Sequence, residues 1–245
     1  MEANVVTVFV VALFTALATG LGALPLRFVE SAGHRMLGAA NAVAAGVMLA
    51  ASVGLASEGA RLDVPRLLVG GVAGIVFILI VERILDHDHT TSLGALRGED
   101  ARKALLIMVV MTVHSVAEGV GVGAAFGGEA ALGLVIGIAI AVHNIPEGLA
   151  ISLVLVPRGA SIRAAAGWSI VSSLPQPLLA VPAFLFVEQF RSVLPIGLGF
   201  ASGAMVWMVA GELLPEALSQ ASPKLVALVG GAAFAVMGLF QLALL

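Results

Sequence analysis

The sequence predicts an all-α polytopic membrane protein, a single transmembrane domain over residues 1–245 with eight transmembrane helices. Three observations predict it. Sixty per cent hydrophobic and 11% charged residues, with a mean hydropathy of +1.10, stand far from the roughly 25% charged residues of a soluble domain. The apolar residues gather into eight runs, each near the ~20 residues that a helix needs to cross the hydrocarbon core. The polar connections are short, so no sizeable soluble domain fits between them.

The runs cover residues 4–26, 37–57, 66–85, 103–126, 130–156, 163–187, 193–217 and 223–245. The first begins Met1-Glu2-Ala3-Asn4. It lacks the basic start and short core of a signal peptide, so it reads as a retained helix. The 29 glycines point to helices packed closely through small side chains. With no cysteine there is no disulfide framework, thiolate site or cysteine nucleophile. No basic patch or aromatic array suggests nucleic acid. The expected partners are the lipid bilayer and a small cargo.

Basic residues give the orientation. Arg27, Arg35, Arg83, Arg97, Arg102, Lys103, Arg158, Arg163 and Lys224 fall in or beside the connections between spans 1–2, 3–4, 5–6 and 7–8. Only Arg61, Arg66 and Arg191 fall on the other side. The positive-inside rule then places both termini outside the cytoplasm, with the protein in a cell (inner or plasma) membrane.

Internal matches add a symmetry. Leu68-Val69-Gly70-Gly71-Val72-Ala73 recurs as Leu228-Val229-Gly230-Gly231-Ala232-Ala233, and Gly46-Val47-Met48 as Gly203-Ala204-Met205. Phe28-Val29-Glu30 matches Phe186-Val187-Glu188, and Pro25 and Pro182 keep the register. Spans 1–3 and 6–8 then form an inverted repeat, with the site expected near the midplane. Spans 4 and 5 stand outside it, giving a 3+2+3 arrangement.

Those two spans carry the chemistry. His114-Ser115-Val116-Ala117-Glu118-Gly119 in span 4 and His143-Asn144-Ile145-Pro146-Glu147-Gly148 in span 5 each set His and Glu at i and i+4, one helical turn apart on one face. An ionisable residue at membrane depth costs about 2.5–3.5 kcal/mol on insertion scales. Four of them in consecutive spans point to a site, and imidazole with carboxylate suits zinc and similar divalent metals. A lone His-x-x-x-Glu reads equally well as a hydrogen-bonded structural pair; the second copy favours metal. The His-Glu-x-x-His pattern of zinc hydrolases is absent. Pro146 removes one helical hydrogen bond and frees the carbonyl of Val142.

Further polar residues sit at membrane depth. Pro175-Gln176-Pro177 in span 6 predicts a broken helix lining a cavity, against a simple kink. Glu212, nearer the midplane, and Glu216, near the inner face of span 7, read as pathway carboxylates. Met48 in span 2 offers a thioether to a soft cation, although methionine at helical spacing is more often core. The longest polar loop, 86–103, holds Asp86-His87-Asp88-His89. His87, Asp88 and His89 form either a weak cytoplasmic metal-collecting tract or simply a solvated loop.

At these residues the chain resembles the ZIP (Zrt-, Irt-like protein) family of divalent metal transporters over nearly its whole length. The fourth- and fifth-span motifs carry the resemblance, joined by Ala45-Gly46-Val47-Met48-Leu49-Ala50 and by Gly203-Ala204-Met205 through Glu212-Leu213-Leu214-Pro215-Glu216. It implies eight helices in a 3+2+3 arrangement, extracytoplasmic termini and zinc, iron or manganese moving toward the cytoplasm, often through a homodimer. Cadmium belongs to the same class of cargo. The ions are transported rather than held as cofactors, and no enzymatic activity is implied. The metal residues are expected to be His114, Glu118, His143 and Glu147, with Ser115, Asn144 and Gln176 as a secondary or transient station. Ala117 replaces a proline found in some members, Ser115 an asparagine, and Gln176 a glutamate. One tightly held ion is therefore expected, not an adjacent pair. The rival reading is an intramembrane zinc hydrolase, which needs three ligands, an activated water and a further acid or base; no dedicated set for it is visible.

Overall fold

A computed structural model describes residues 3–28, 33–85, 99–189 and 191–244. Among the described residues all regular structure is helical. The helices are α1 (Val5–Leu21), α2 (His34–Leu62), α3 (Val64–Leu85), α4 (Glu99–Gly128), α5 (Ala130–Leu155), α6 (Ile162–Ser173), α7 (Pro175–Gln189), α8 (Leu194–Met208), α9 (Leu214–Gln220) and α10 (Pro223–Leu244).

Local chemistry explains most boundaries. Asn4 caps α1, its Oδ1 accepting from the Thr7 backbone N–H at 2.9 Å, and Ser161 caps α6 through Ala164 at 3.1 Å. These side chains satisfy amides that lack a partner in the first turn. A single residue, Glu129, joins α4 to α5, so the two helices run antiparallel. Span 6 is broken as expected: α6 stops at Ser173 and α7 starts at Pro175. Pro175 and Pro177 have no N–H to give to Val171 and Ser173, so two rungs of the helical ladder are missing. Span 7 is also interrupted, by a π-helical turn over Val209–Leu213 between α8 and α9. Pro215 follows it. Proline cannot bond the carbonyl of Gly211 and its ring crowds it; the wider turn relieves that crowding.

Among the described residues, six helical units are long and apolar enough to cross a membrane: Val5–Phe28, His34–Leu62, Ala130–Leu155, Ile162–Gln189, Arg191–Gln220 and Pro223–Ala243. α3 with 22 residues and α4 with 30 have the length to join them. The outward faces are apolar. On α10, Leu228, Val236, Leu239 and Leu242 are each more than 60% exposed. A helix that is apolar all round and leaves such side chains uncovered is a helix for a hydrocarbon solvent. The chain is an all-α polytopic membrane protein.

Packing is reciprocal. α3 lies on α8 as α10 lies on α2; α1 lies on α5 as α7 lies on α4; α2 touches α5 as α8 touches α4. Small residues let the backbones meet. A side chain added to Gly46 would strike the carbonyl of Gly230, and one added to Gly203 would strike that of Gly71. The glycines brought together in these two contacts all belong to the segments that the sequence repeats.

Candidate metal centre

The antiparallel pair α4 and α5 sits inside the bundle, and the four motif residues face each other across it. His114, Glu118, His143 and Glu147 are all at most 1% exposed. One donor atom from each lies within 4.8 Å of the others. His143 Nε2 is hydrogen-bonded to Glu118 Oε1. His114 Nε2 approaches the same oxygen at 3.2 Å. The two rings are tilted, their centroids 6.4 Å apart.

The remaining donors are unsatisfied. Among the described residues, both oxygens of Glu147, both ring nitrogens of His114 and Nδ1 of His143 have no hydrogen-bond partner. Buried polar atoms are normally paired, and an unpaired buried charge is costly. Two imidazoles and two carboxylates at this spacing match the ligand chemistry of a divalent transition metal, and two carboxylates would balance its charge.

Two glycines let the surrounding helices close on the centre. Gly148 leaves room for the carbonyl of Thr19 on α1. A Cβ on Gly119 would come within 2.7 Å of the Gln176 carbonyl oxygen on α7. α5 continues through Pro146, so the missing amide does not interrupt the helix that presents Glu147.

Ser115, Asn144 and Gln176 are fully buried beside the four. Asn144 Nδ2 donates to the Thr15 carbonyl at 2.7 Å and to Gln176 Oε1 at 3.1 Å. The Thr15 hydroxyl lies 2.5 Å from the same Gln176 oxygen, and Gln176 Nε2 donates to Glu118 Oε2. Among the described residues, Ser115 Oγ and Asn144 Oδ1 have no hydrogen-bond partner. Thr15 and Thr19 are the residues that sequence reasoning missed. Thr19 pairs with Ser173 at 2.8 Å. The signal was present: Val8, Ala12, Thr15, Ala16 and Thr19 form the buried stripe of α1, and a polar residue on the inward stripe of a membrane helix needs a partner inside the bundle.

Glu212 and Glu216, the expected pathway carboxylates, lie together. Glu212 and Glu216 line a cavity of about 100 Å³ with Asn41, Met111, Ala150 and Gln220. Met111 is one turn before His114, and Ala150 one turn after Glu147, so the cavity adjoins the centre. Asn41 and Gln220 were not singled out from the sequence. Asn41 is the one polar residue between Gly38 and Gly46, which was the available clue. Met48 is placed apart from this lining. It is 1% exposed in the apolar core with Ala44, Ala45 and Leu55. His87, Asp88 and His89 lie outside the described residues.

The family model for the ZIP Zinc transporter matches residues 85–241. An Arabidopsis thaliana protein under a zinc-transporter name is 48% identical across 91% of this chain, and the chain spans 37% of that relative's length. Zinc transporter ZupT of Corynebacterium glutamicum is 32% identical across 86% of this chain and 89% of its own. Zinc transporter GufA of Myxococcus xanthus is 30% identical, with 84% and 87% covered. The matched region contains both His-x-x-x-Glu helices and the Glu212 helix, and the agreement with ZupT runs almost end to end: the chain belongs to the ZIP zinc transporter family.

Proposed function

We propose that this chain transports divalent metal ions, zinc foremost, across a membrane. One observation carries the reading: four buried donors, two His and two Glu, converge within 4.8 Å with the Glu147 carboxylate unpartnered. The cargo sheds water at His114, Glu118, His143 and Glu147, which replace its hydration shell. Ser115 Oγ and Asn144 Oδ1, both buried and unpartnered, are a transient station beside them. The onward path runs through the cavity at Glu212 and Glu216 toward the 86–103 loop, where His87, Asp88 and His89 collect the ion weakly. Met48 serves from the core wall rather than from the cavity. Iron, manganese and cadmium share enough ligand chemistry with zinc to be secondary cargo.

Residues 1–245 act as one transmembrane domain in the cell membrane. The reciprocal packing of α3 on α8 and of α10 on α2, between spans 1–3 and spans 6–8, supports the 3+2+3 arrangement. Nine of the twelve basic residues on one side support extracytoplasmic termini and movement toward the cytoplasm. A homodimer is consistent with the family. The hydrolase reading has nothing in the geometry to favour it: both carboxylates and both imidazoles face one point.

The test is zinc flux into proteoliposomes of the purified chain, with iron, manganese and cadmium as competitors. Saturable zinc uptake that disappears in Glu147→Ala is expected. A folded protein that moves no zinc above protein-free vesicles overturns the reading.

A further inference from the structure

The buried amides beside the centre have an orientation that the network dictates. A backbone carbonyl only accepts, so the Thr15 carbonyl at 2.7 Å must face the Asn144 amino group. The second hydrogen of that amino group is aimed at Gln176 Oε1, 3.1 Å away. The same oxygen lies 2.5 Å from the Thr15 hydroxyl. The Thr15 hydroxyl has one hydrogen and two acceptors in reach, the Ala12 carbonyl at 2.7 Å and Gln176 Oε1; two oxygens at 2.5 Å need that hydrogen between them, so Gln176 Oε1 accepts from both Thr15 and Asn144, and its Nε2 is left to donate to Glu118 Oε2. Turning the Gln176 amide over would set two amino groups face to face and an amide oxygen against a carboxylate. The chain of polarity begins on the α1 backbone, passes through α5 and α7, and ends on one oxygen of Glu118.

We propose that Gln176 is a positioning residue rather than a ligand, and that it sets metal preference by occupying Glu118 Oε2. The inference rests on the transport reading above. Both Glu118 oxygens are bonded, but the partner of Oε1 is His143 Nε2, a donor that the ion would itself take, whereas the partner of Oε2 is Gln176, which stays; Glu118 therefore offers the cargo only Oε1. Glu147 offers both of its oxygens, and His114 and His143 one nitrogen each. The centre then supplies four or five donors. Zinc is satisfied by four, whereas manganese favours six, largely oxygen. Freeing Oε2 adds an oxygen donor and moves the centre toward the larger coordination number. Gln176, with no acceptor left, drops out of the transient station, and Thr15 acts through it as the clamp's far end.

Cobalt(II) is the probe, because its visible bands are intense in four- or five-coordinate sites and weak in six-coordinate ones. The full chain in detergent is titrated with cobalt, and zinc and manganese uptake are compared in proteoliposomes. The unmodified chain should give intense bands. Gln176→Leu should weaken them and narrow the zinc-over-manganese uptake ratio about 10-fold, the lower range for loss of an outer-shell partner. Thr15→Val, which keeps Gln176 but removes a donor to it, should shift both readouts the same way by less, and Thr15→Ser should restore them. Should Gln176→Leu not reach the membrane, the Thr15 pair decides. Weak six-coordinate bands in the unmodified chain, or bands and ratio unchanged in the variants, overturn the inference. An unmodified chain that binds no cobalt and moves no zinc overturns the transport reading instead.

Discussion

Glu147 is the residue on which the centre turns. Its carboxylate is buried, and among the described residues neither oxygen has a hydrogen-bond partner. Glu118, by contrast, is held by His143 and Gln176. Glu147→Ala or His143→Ala removes a donor, and the glutamate change also removes charge balance. Zinc uptake should fall at least about 100-fold, beyond the usual loss from an outer-shell change, while membrane levels of the protein hold. Gln176→Ala should keep much of the zinc uptake, because it removes no ligand. Gln176→Glu, which adds a carboxylate, should raise the number of ions bound, read by zinc anomalous diffraction; two well-occupied sites in the unmodified chain would contradict the single-ion reading. His87→Ala with His89→Ala should slow uptake only modestly. The donor residues were legible in the sequence because i, i+4 spacing is a local property of a helix. Thr15 was legible only as a polar residue on an apolar helix; its partners, 129 and 161 positions away, were not.

At the scale of the helix, proline and glycine do the shaping. The π-turn at Val209–Leu213 inserts a residue into the turn between Glu212 and its neighbours. Pro215→Ala restores the missing amide, so the segment should rewind as α-helix and rotate Glu216 relative to Glu212. Uptake should drop with zinc affinity at the centre unchanged, which separates a pathway defect from a ligand defect. Where α3 meets α8, a side chain at Gly74 would strike the Phe200 carbonyl. Gly74→Val should destabilise the protein by about 3 kcal/mol, the upper range for overpacking, seen as a lowered thermal midpoint in detergent. Gly231→Ala, where nothing lies within 4 Å, should leave it unchanged or raise it slightly. Proline-dependent breaks were foreseeable at Pro175 and Pro177; the same chemistry at Pro215 was present in the sequence but produced a π-turn, whose width depends on what packs around it.

Across the whole chain, nine of the twelve basic residues fall in or beside alternate connections between the spans. A cysteine placed at Ser92, in the basic-side loop outside the described residues, should resist an impermeant thiol reagent in intact cells; rapid labelling would reverse the orientation. The centre is enclosed by α1, α4, α5 and α7, with the cavity of Glu212 and Glu216 on one side of it. A site buried among helices and adjoining a cavity on one side suits alternating access.

The sequence by itself determined the membrane class, the eight apolar runs, the two paired motifs and the family resemblance. Each of these is written in composition or in short-range spacing, which helix geometry converts directly into a face or a length. Only the tertiary structure decided which oxygen of Glu118 Gln176 occupies, why Gln176 points as it does, and that Met48 belongs to the core while Asn41 and Gln220 line the cavity. Those outcomes depend on which helices meet and at what rotation. That is fixed by the combined packing of distant glycines and threonines, not by the residues near them in the chain.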